Sequence, residues 1–222
     1  MEPSAGSGPG EWGLYLVTDR LAARGRDLEE VIARALEGGV RAIQLREKDL
    51  PAGELLRMGR RLLPRVRRAG AALLIHDRVD VALALGAEGV HLARGSLRPR
   101  EVRGLAGSGI LIGASCHGLE EVREAVESGA DFVVLGPVYA TPSKARYGPP
   151  LTVEIIRQAR EICPRPLLAI GGITAARVPE VIEAGADGVA VISAVLSAAD
   201  AAAATGEILA AVARARSGKA RE

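Results

Sequence analysis

The chain has 222 residues, with 29 basic and 27 acidic side chains that give a formal net charge of +2. Because these charges are scattered among predicted helices, no basic surface points to nucleic acid or to a membrane as a partner. The N-terminus lacks the basic and apolar segments of a signal peptide, and no apolar run approaches the roughly 20 residues of a membrane span, so we expect a cytoplasmic protein.

Residues 1–10 are rich in Gly, Ser and Pro, and we predict a disordered N-terminal tail there. One folded domain is expected over residues 11–217, followed by a polar C-terminal tail over residues 218–222.

Within the domain, a helix-like stretch that ends in glycine is followed several times by a short apolar run. This unit recurs at residues 38–45, 86–92, 129–135 and 185–192. A glycine after a helix can adopt the left-handed conformation that ends it, and a continuous apolar run is typical of a buried parallel strand. The unit therefore predicts alternating strands and helices around a parallel sheet.

The predicted elements form eight strand–helix units. The strands are predicted, in chain order, at Leu14–Thr18, Ala42–Leu45, Leu73–His76, Gly89–Leu92, Leu111–Ser115, Phe132–Gly136, Leu167–Ile170 and Gly188–Ile192. Amphipathic stretches with helical spacing between them include Leu28–Glu37, Leu119–Ser128, Val153–Ile162 and Ala175–Ala184. The Ala-rich residues 198–204 are expected to lead into the final helix. This order predicts an α/β protein with the single-domain (β/α)8 TIM barrel fold.

Polar residues of complementary type follow the ends of the predicted strands, where a TIM barrel carries its chemistry. They are Gln44, Arg46 and Lys48 after strand 2, His76 and Asp77 after strand 3, His91 and Ser96 after strand 4, Ser115 and His117 after strand 5, the loop from Gly136 to Lys144, Gly171 to Ile173, and Ser193 with Ala194. A purely structural role does not require so many polar groups on one rim.

Two neighbouring loops match the usual phosphate site of a TIM barrel. Gly171 and Gly172 follow strand 7, and Ser193 follows strand 8, where backbone amides at a helix start bind phosphate. We therefore expect a phosphorylated small molecule as ligand. The alternative is that the two glycines only permit a tight turn.

Basic side chains predict a second anion site. Only three of the 29 basic residues are lysines, and two of them, Lys48 and Lys144, lie in these loops. Together with Arg46 they could hold a more highly charged anion such as a diphosphate. For Lys48 the alternative is a local ion-pair cluster with Glu47 and Asp49.

Asp77 directly follows a buried strand, where a carboxylate needs a partner or a metal. Mg²⁺ shared with substrate phosphates would suit it, because Mg²⁺ is usually held by one or two carboxylates together with phosphate and water. The alternative is that Asp77 caps the helix that begins near Val79. Taken singly, His76, His91 and His117 are each more typical of structural histidines.

Read together, these residues resemble the thiamine phosphate synthase/TenI family of (β/α)8 proteins over about Leu14 to Leu196. The matching motifs are Gln44-Leu45-Arg46-Glu47-Lys48, Asp77-Arg78-Val79-Asp80-Val81-Ala82, Gly89-Val90-His91-Leu92, Gly113-Ala114-Ser115-Cys116-His117, Gly136-Pro137-Val138 with Thr141-Pro142-Ser143-Lys144, Gly171-Gly172-Ile173, and Gly185 to Ser193.

The resemblance implies a transferase that joins hydroxymethylpyrimidine diphosphate to a thiazole phosphate and releases pyrophosphate. By position it implies that Gln44, Arg46, Lys48 and Lys144 hold the diphosphate, that Asp77 binds Mg²⁺, and that Ser115 lies near the pyrimidine and the departing pyrophosphate. It also implies that Thr141, Ser143, Gly172, Ile192 and Ser193 surround the thiazole phosphate. Arg46, Lys48, Lys144 and Ser115 are the catalytic candidates, and His76 and His117 join the substrate-binding set.

The chain departs from the pattern of the family's synthases at two positions. His76 replaces the usual Asn, and Ser96 replaces an Asp that supplies a second carboxylate for Mg²⁺, although Arg94 could partly replace that charge. The Arg94-Gly95-Ser96 segment resembles the TenI branch, which includes a thiazole tautomerase. Pro137, however, stands where the tautomerase-type member has its proton-shuttling His.

These departures leave three functions open. Synthase activity is favoured because the Gln-x-Arg-x-Lys set suits a diphosphate substrate. Tautomerase activity is the alternative, with His76 or His117 as the proton carrier. A non-catalytic binder of thiamine-pathway phosphates is the third possibility.

Overall fold

The computed structural model describes residues 8–141 and 149–219, and its strands close a parallel barrel in sequence order. The strands are β1 Leu14–Val17, β2 Ala42–Leu45, β3 Ala72–His76, β4 Gly89–Leu92, β5 Leu111–Cys116, β6 Phe132–Leu135, β7 Leu167–Ile170 and β8 Gly188–Val191. The barrel closes because β1 pairs with β8, in the register Leu16 opposite Val191. The predicted TIM barrel is therefore confirmed.

Three strands end one residue earlier than predicted. Thr18 directly follows β1, and its hydroxyl group donates to Glu47 and accepts from the Arg46 amide. At Gly136, after β6, a side chain would collide with the Ile170 carbonyl oxygen. Ile192 turns out of β8 to begin the next helix.

The helices pack outside the strands. They are α1 Leu28–Glu37, α2 Ala52–Arg68, α3 Val79–Leu85, α4 Pro99–Ala106, α5 Leu119–Glu127, α6 Glu154–Ile162, α7 Val178–Glu183, α8 Ser193–Leu196 and α9 Ala201–Lys219. Within the described part of the chain, no helix combines the length and apolarity needed to cross a bilayer.

Of two helical predictions toward the C-terminus, one is corrected and the other is confirmed. The stretch predicted as one helix from Ala175 is divided into a 3₁₀ turn, Ala175–Arg177, and α7. Pro179 lies in the first turn of α7, where a missing N–H group costs nothing. The Ala-rich stretch does lead into α9, whose first amides are capped by the Asp200 carboxylate.

The lower part of the barrel interior is filled by aromatic rings. Trp12, Tyr15 and Phe132 are all buried, and their ring centroids lie 5.2–5.6 Å apart. Gly113 leaves room for these rings, because a Cβ atom there would lie 2.6 Å from His91 Nδ1 and even closer to the Phe132 ring. The rings form a floor inside the barrel, and open space remains above it at the C-terminal ends of the strands.

We predict that Phe132→Ala lowers the free energy of unfolding by about 3–5 kcal/mol, because it leaves a cavity in this closely packed floor. Urea unfolding followed by circular dichroism measures the loss. The control is Leu105→Ala, at a side chain that is 67% exposed on α4, which should change stability by no more than about 0.5 kcal/mol. Equal losses in both variants would contradict the assigned role of the ring cluster.

Candidate active site

A cavity of about 370 Å³ opens at the C-terminal ends of the strands, directly above the aromatic floor. Most of the residues proposed from the sequence line it. Those residues are Gln44, Arg46, His76, Ser115, His117, Thr141, Gly172, Ile192 and Ser193. Lys48 and Asp77 lie exposed outside its lining, and Ser143 and Lys144 fall outside the described residues. The loops thus bring nine of the proposed residues to one cavity.

The loop after β2 is held by the buried carboxylate of Glu47. Glu47 accepts hydrogen bonds from the Thr18 hydroxyl group at 2.7 Å and from the Arg20 amide at 3.1 Å. Thr18 Oγ1 in turn accepts from the Arg46 amide at 2.8 Å. Arg20 also forms an ion pair with Asp49. Both carboxylates that flank Lys48 in sequence are therefore bound to Arg20, which joins the loop after β1 to the loop after β2.

Arg46 is a half-buried cation that faces the cavity. Burial lowers the pKa of its guanidinium group, although the charges of Asp19 and Glu47 oppose this shift. No carboxylate in the described ranges forms an ion pair with Arg46. A cation held in this way is suited to bind an anion that enters the cavity.

His76 lies beside this cation. Burial, together with the charges of Arg46 and Lys48, lowers the pKa of His76 to about 4, so the ring is neutral near pH 7. Its Nδ1 atom is buried and has no hydrogen-bond partner among the described residues. The ring can therefore accept or donate one hydrogen bond to a neutral polar ligand, but it is a weak base.

Asp77 does not cap a helix, so that alternative is wrong. Its backbone has a φ of 61°, and α3 begins at Val79 with no side-chain cap. Instead, the backbone links two strand ends, because the Asp77 amide donates to the His91 carbonyl oxygen at 2.9 Å. From the described residues, the exposed carboxylate accepts only a long bond, 3.3 Å, from the Ala93 amide. It is therefore accessible at the rim of the barrel.

His91 is fully buried and connects the floor to the cavity. Its Nε2 atom lies 2.9 Å from Ser115 Oγ, and its Nδ1 atom lies 3.4 Å from the Tyr15 hydroxyl oxygen. Burial lowers the pKa of His91 to about 3, and the charges of His76 and Arg46 act in the same direction. The neutral ring thus has both nitrogens engaged. Ser115 lies half-buried at the end of this contact, on the cavity wall.

His117 is bound to the acid that follows it on α5. Its backbone amide donates to Glu121 Oε2 at 2.8 Å, and its Nδ1 lies 3.2 Å from the same oxygen. Arg94, from the loop after β4, forms an ion pair with Glu121 at 3.2 Å. Arg94 is therefore tied to α5 at the rim and does not line the cavity.

The opposite side of the cavity is built from backbone. Gly171 and Gly172 have φ values of 103° and 64°, and Cβ atoms on them would lie 2.6 Å from Pro137 Cα and 2.9 Å from the Ala140 carbonyl oxygen. The turn therefore requires glycine for conformation and for space, in agreement with the alternative of a tight turn.

The same turn also presents amides. The Gly171 carbonyl oxygen accepts from the Tyr139 amide at 3.1 Å, and the Gly172 carbonyl oxygen accepts from Arg177 at 2.5 Å. The amides of Gly172 and Ser193 have no acceptor among the described residues. Since both residues line the cavity, the turn provides a small set of free N–H donors.

Sequence reasoning missed three residues that hold this turn. The Arg177 guanidinium lies 4.4 Å from the centroid of the Tyr139 ring, and the Tyr139 hydroxyl group donates to Glu180 at 2.7 Å. These contacts join the loop after β6 to α7. No sequence motif identifies these three residues, because Tyr139 is far from Arg177 and Glu180 in the chain and meets them only in the folded protein. Cys116 also lines the cavity, but burial raises its pKa to about 12, so it is a neutral thiol.

Comparisons with known proteins agree with this architecture. A profile of the family described as thiamine monophosphate synthase matches residues 14–195. A thiamine-phosphate synthase of Roseiflexus sp. (strain RS-1) is 43% identical over 94% of this chain and 88% of its own length. One from Moorella thermoacetica is also 43% identical, over 93% of this chain and 98% of the relative.

A solved structure is also similar. Thiamine phosphate pyrophosphorylase from Pyrococcus furiosus is 38% identical and superposes with a TM-score of 0.84, over 93% of this chain and 98% of that protein. The family profile spans most of the barrel, including every strand that contributes to the cavity. The chain therefore belongs to the thiamine monophosphate synthase family.

Proposed function

We propose that the protein is a thiamine-phosphate synthase, which transfers a hydroxymethylpyrimidine group from its diphosphate to a thiazole phosphate. The observation that carries the proposal is the presence of two different anion-binding arrangements on one cavity. Arg46, which has no ion-pair partner among the described residues, lies on the wall that follows β2. The amides of Gly172 and Ser193, which have no acceptor in the same part of the chain, lie on the wall that follows β7 and β8.

The side of the cavity that carries Arg46 suits the anion of higher charge. A guanidinium that has been partly desolvated binds a diphosphate more strongly than a neutral donor does. Lys48 is close enough to contribute, because its charge lowers the pKa of His76. By family resemblance Lys144 and Gln44 complete this set. Gln44 lines the cavity, and Lys144 stays a prediction because it lies outside the described residues.

The side of the cavity that carries Gly172 and Ser193 suits a phosphate monoester. Backbone amides bind phosphate oxygens without bringing a second full charge into the cavity. Arg177 stabilises this arrangement by donating to the Gly172 carbonyl oxygen. In the trans peptide between Gly172 and Ile173 the C=O and N–H groups point in opposite directions, so the Ile173 amide points away from Arg177. Ile173 also lines the cavity. Thr141 and Ile192 border the same region.

The chemistry follows from this placement. The bond between the pyrimidine methylene carbon and the diphosphate oxygen breaks, and the electron pair leaves with pyrophosphate. Arg46 stabilises the charge that develops on the leaving group. The pyrimidine-stabilised carbocation then forms a C–N bond with the thiazole nitrogen, so no proton has to be removed from that nitrogen. Ser115 lies on the cavity wall where it could donate to the leaving group. No side chain has to act as a nucleophile.

Mg²⁺ is the proposed cofactor, and Asp77 is its proposed ligand. The Asp77 carboxylate is exposed and, within the part of the chain that the structure describes, accepts only the long bond from Ala93, so lone pairs remain for a cation. Within the described ranges no cluster of three or more His, Cys, Asp or Glu residues could hold a metal ion. One carboxylate fits an ion that is held mainly by substrate phosphate and water. When bound, Mg²⁺ would neutralise charge on the diphosphate.

Tautomerase activity has less support. Pro137 lines the cavity where a proton-shuttling histidine would be needed, and proline has no acid or base. The lowered pKa of His76 makes that ring a weak base, and His117 is held by Glu121. An assay for isomerisation of the carboxythiazole phosphate on the same preparation distinguishes the two activities.

We predict that the purified protein releases pyrophosphate and forms thiamine phosphate from the two phosphorylated substrates and Mg²⁺. Arg46→Met should lower kcat/KM by roughly 10²–10³-fold, because it removes charge stabilisation from the leaving group. A coupled pyrophosphate assay measures both effects. The control is Arg157→Met, at an exposed arginine on α6 that pairs with Glu154. Absence of product with wild-type protein at high Mg²⁺ would refute the synthase proposal.

We predict that Asp77→Asn raises the Mg²⁺ concentration required for half-maximal activity about tenfold, because it removes the only anionic ligand proposed for the ion. Ser96→Asp should lower that concentration by restoring a second carboxylate. Calorimetry of pyrophosphate binding with and without Mg²⁺ gives a readout that does not depend on turnover. Asp80→Asn, at an exposed acid on α3 that pairs with Arg78, serves as the control. Identical metal titrations in all four proteins would argue against the site.

We predict that Gly172→Ala raises KM for the thiazole phosphate about tenfold and leaves KM for the pyrimidine diphosphate nearly unchanged. The added Cβ meets the Ala140 carbonyl oxygen, and a φ of 64° is strained for alanine, so the turn must move its amides. Steady-state kinetics with each substrate varied in turn measures this. Gly104→Ala, which has open space around its Cβ position in α4, should leave both values unaltered. A rise in KM for the diphosphate instead would reverse the assignment of the two sides.

A further inference from the structure

We infer that Tyr15 and His91 are positioning residues that direct the hydroxyl proton of Ser115 into the cavity, toward the leaving group. This inference rests on the proposed function for the identity of the leaving group. The orientation of the hydroxyl group itself is a property of the protein alone and can be measured without substrate.

Four side chains form one hydrogen-bonded chain from β2 to β5. Gln44 Nε2 donates to the Tyr15 hydroxyl oxygen at 3.3 Å. The same oxygen lies 3.4 Å from His91 Nδ1, and His91 Nε2 lies 2.9 Å from Ser115 Oγ. Gln44, Tyr15 and His91 are all at least 97% buried, so water does not compete for these contacts. Gln44 and His91 also border the cavity, but among the four only Ser115 is half-buried rather than buried.

The number of hydrogens on each group indicates which group donates and which accepts in each hydrogen bond of this chain. The Gln44 amide nitrogen can only donate hydrogen bonds, so the Tyr15 oxygen is the acceptor in the bond between them. The buried Tyr15 hydroxyl group has no acceptor other than His91 Nδ1 among the described residues, so we assign its single hydrogen to Nδ1, which is then the unprotonated nitrogen. The ring is buried, and its side-chain partners among the described residues, Tyr15 and Ser115, carry no charge, so we assign it a single proton, which lies on Nε2 and is donated to Ser115 Oγ. The Ser115 oxygen is therefore occupied as an acceptor, and its own hydrogen must point elsewhere.

The cavity is the direction that remains for this hydrogen. Besides His91, no described residue forms a hydrogen bond with the Ser115 hydroxyl group. The hydroxyl group therefore faces, as a donor, the cavity that Arg46 also lines. A donor that is oriented before the ligand binds stabilises developing negative charge without the cost of reorganisation.

Packing keeps the chain in this arrangement. The Tyr15 ring lies against Trp12 and Phe132, and the His91 ring centroid lies 5.6 Å from those of Tyr15 and Phe132. Gly113 leaves the space that the imidazole occupies. Neither ring can rotate without displacing the floor of the barrel. The aromatic floor therefore fixes the Ser115 donor through His91.

The opposite proton order is the competing arrangement, and it makes the opposite prediction. If Gln44 presented its carbonyl oxygen to Tyr15, the phenol would donate to Gln44 and accept from a protonated His91 Nδ1. His91 Nε2 would then accept from Ser115, and lone pairs of the Ser115 oxygen would face the cavity. Such a site would repel a diphosphate.

The test measures the tautomer of His91 directly. Two-bond ¹H–¹⁵N correlation spectra of protein labelled in histidine should show, for His91, a protonated Nε2 and an unprotonated Nδ1 near pH 7. Tyr15→Phe removes the donor to Nδ1 and should produce a mixture of tautomers in a protein whose thermal unfolding confirms that it is folded. A protonated Nδ1 in the wild-type spectrum overturns the inference, and this spectrum requires no substitution and no substrate.

A double-mutant cycle tests the consequence for Ser115. We expect Tyr15→Phe to lower kcat about tenfold with little change in either KM, and to lower pyrophosphate affinity severalfold in calorimetry. Ser115→Ala should have a larger effect, and adding Tyr15→Phe to it should cause no further loss, because the two act through one donor. Ser217→Ala, at an exposed serine on α9, is the control.

Additive losses in the cycle would show that Tyr15 acts independently of Ser115 and would overturn the inference. Wild-type protein without turnover would refute the proposed function instead. In that case the His91 spectrum and the pyrophosphate cycle still decide whether Tyr15 and His91 orient Ser115.

Discussion

Closure of the barrel is the constraint on which the rest of the molecule depends. Hydrogen bonds between β1 and β8 complete a ring of parallel strands, so every strand ends on the same rim. Each strand end carries its own loop, and residues far apart in sequence meet only because the ring is closed. Leu14 and Val189 are paired across this seam although the whole domain separates them in sequence.

The filling of the barrel determines where a ligand can enter. Trp12, Tyr15 and Phe132 occupy the lower interior, and few other large rings occur in the chain. The upper interior has smaller side chains and glycines, such as Ala190 and Gly136, and this leaves the cavity. The floor has a second effect, because Tyr15 contacts the buried His91, and His91 contacts Ser115. The same packing that stabilises the barrel therefore determines the polarity of a group on the cavity wall.

The two sides of the cavity present different kinds of groups that can bind an anion. Arg46 is a full positive charge in a partly desolvated position, whereas Gly172 and Ser193 offer neutral amides. In the proposed function a diphosphate and a phosphate monoester differ in charge, so this asymmetry would favour one order of the two substrates over the other. Of the two departures from the family pattern, Ser96 lies outside the cavity lining, whereas His76 lines the cavity beside Arg46. Arg94, which lies in the same loop as Ser96, is tied to Glu121.

The sequence by itself determined the order of elements and most of the residues that surround the cavity. Apolar runs after helix-ending glycines identify the strands, because burial and local backbone conformation leave marks on neighbouring residues. Polar residues just after those runs identify Gln44, Arg46 and Gly172. The tertiary structure alone decided that Asp77 links strand ends and does not cap α3, that Arg20 takes both acids beside Lys48, and that Tyr15 and His91 join the floor to Ser115. These contacts cross between strands and loops at distances that no local spacing encodes, since they exist only once the barrel has closed.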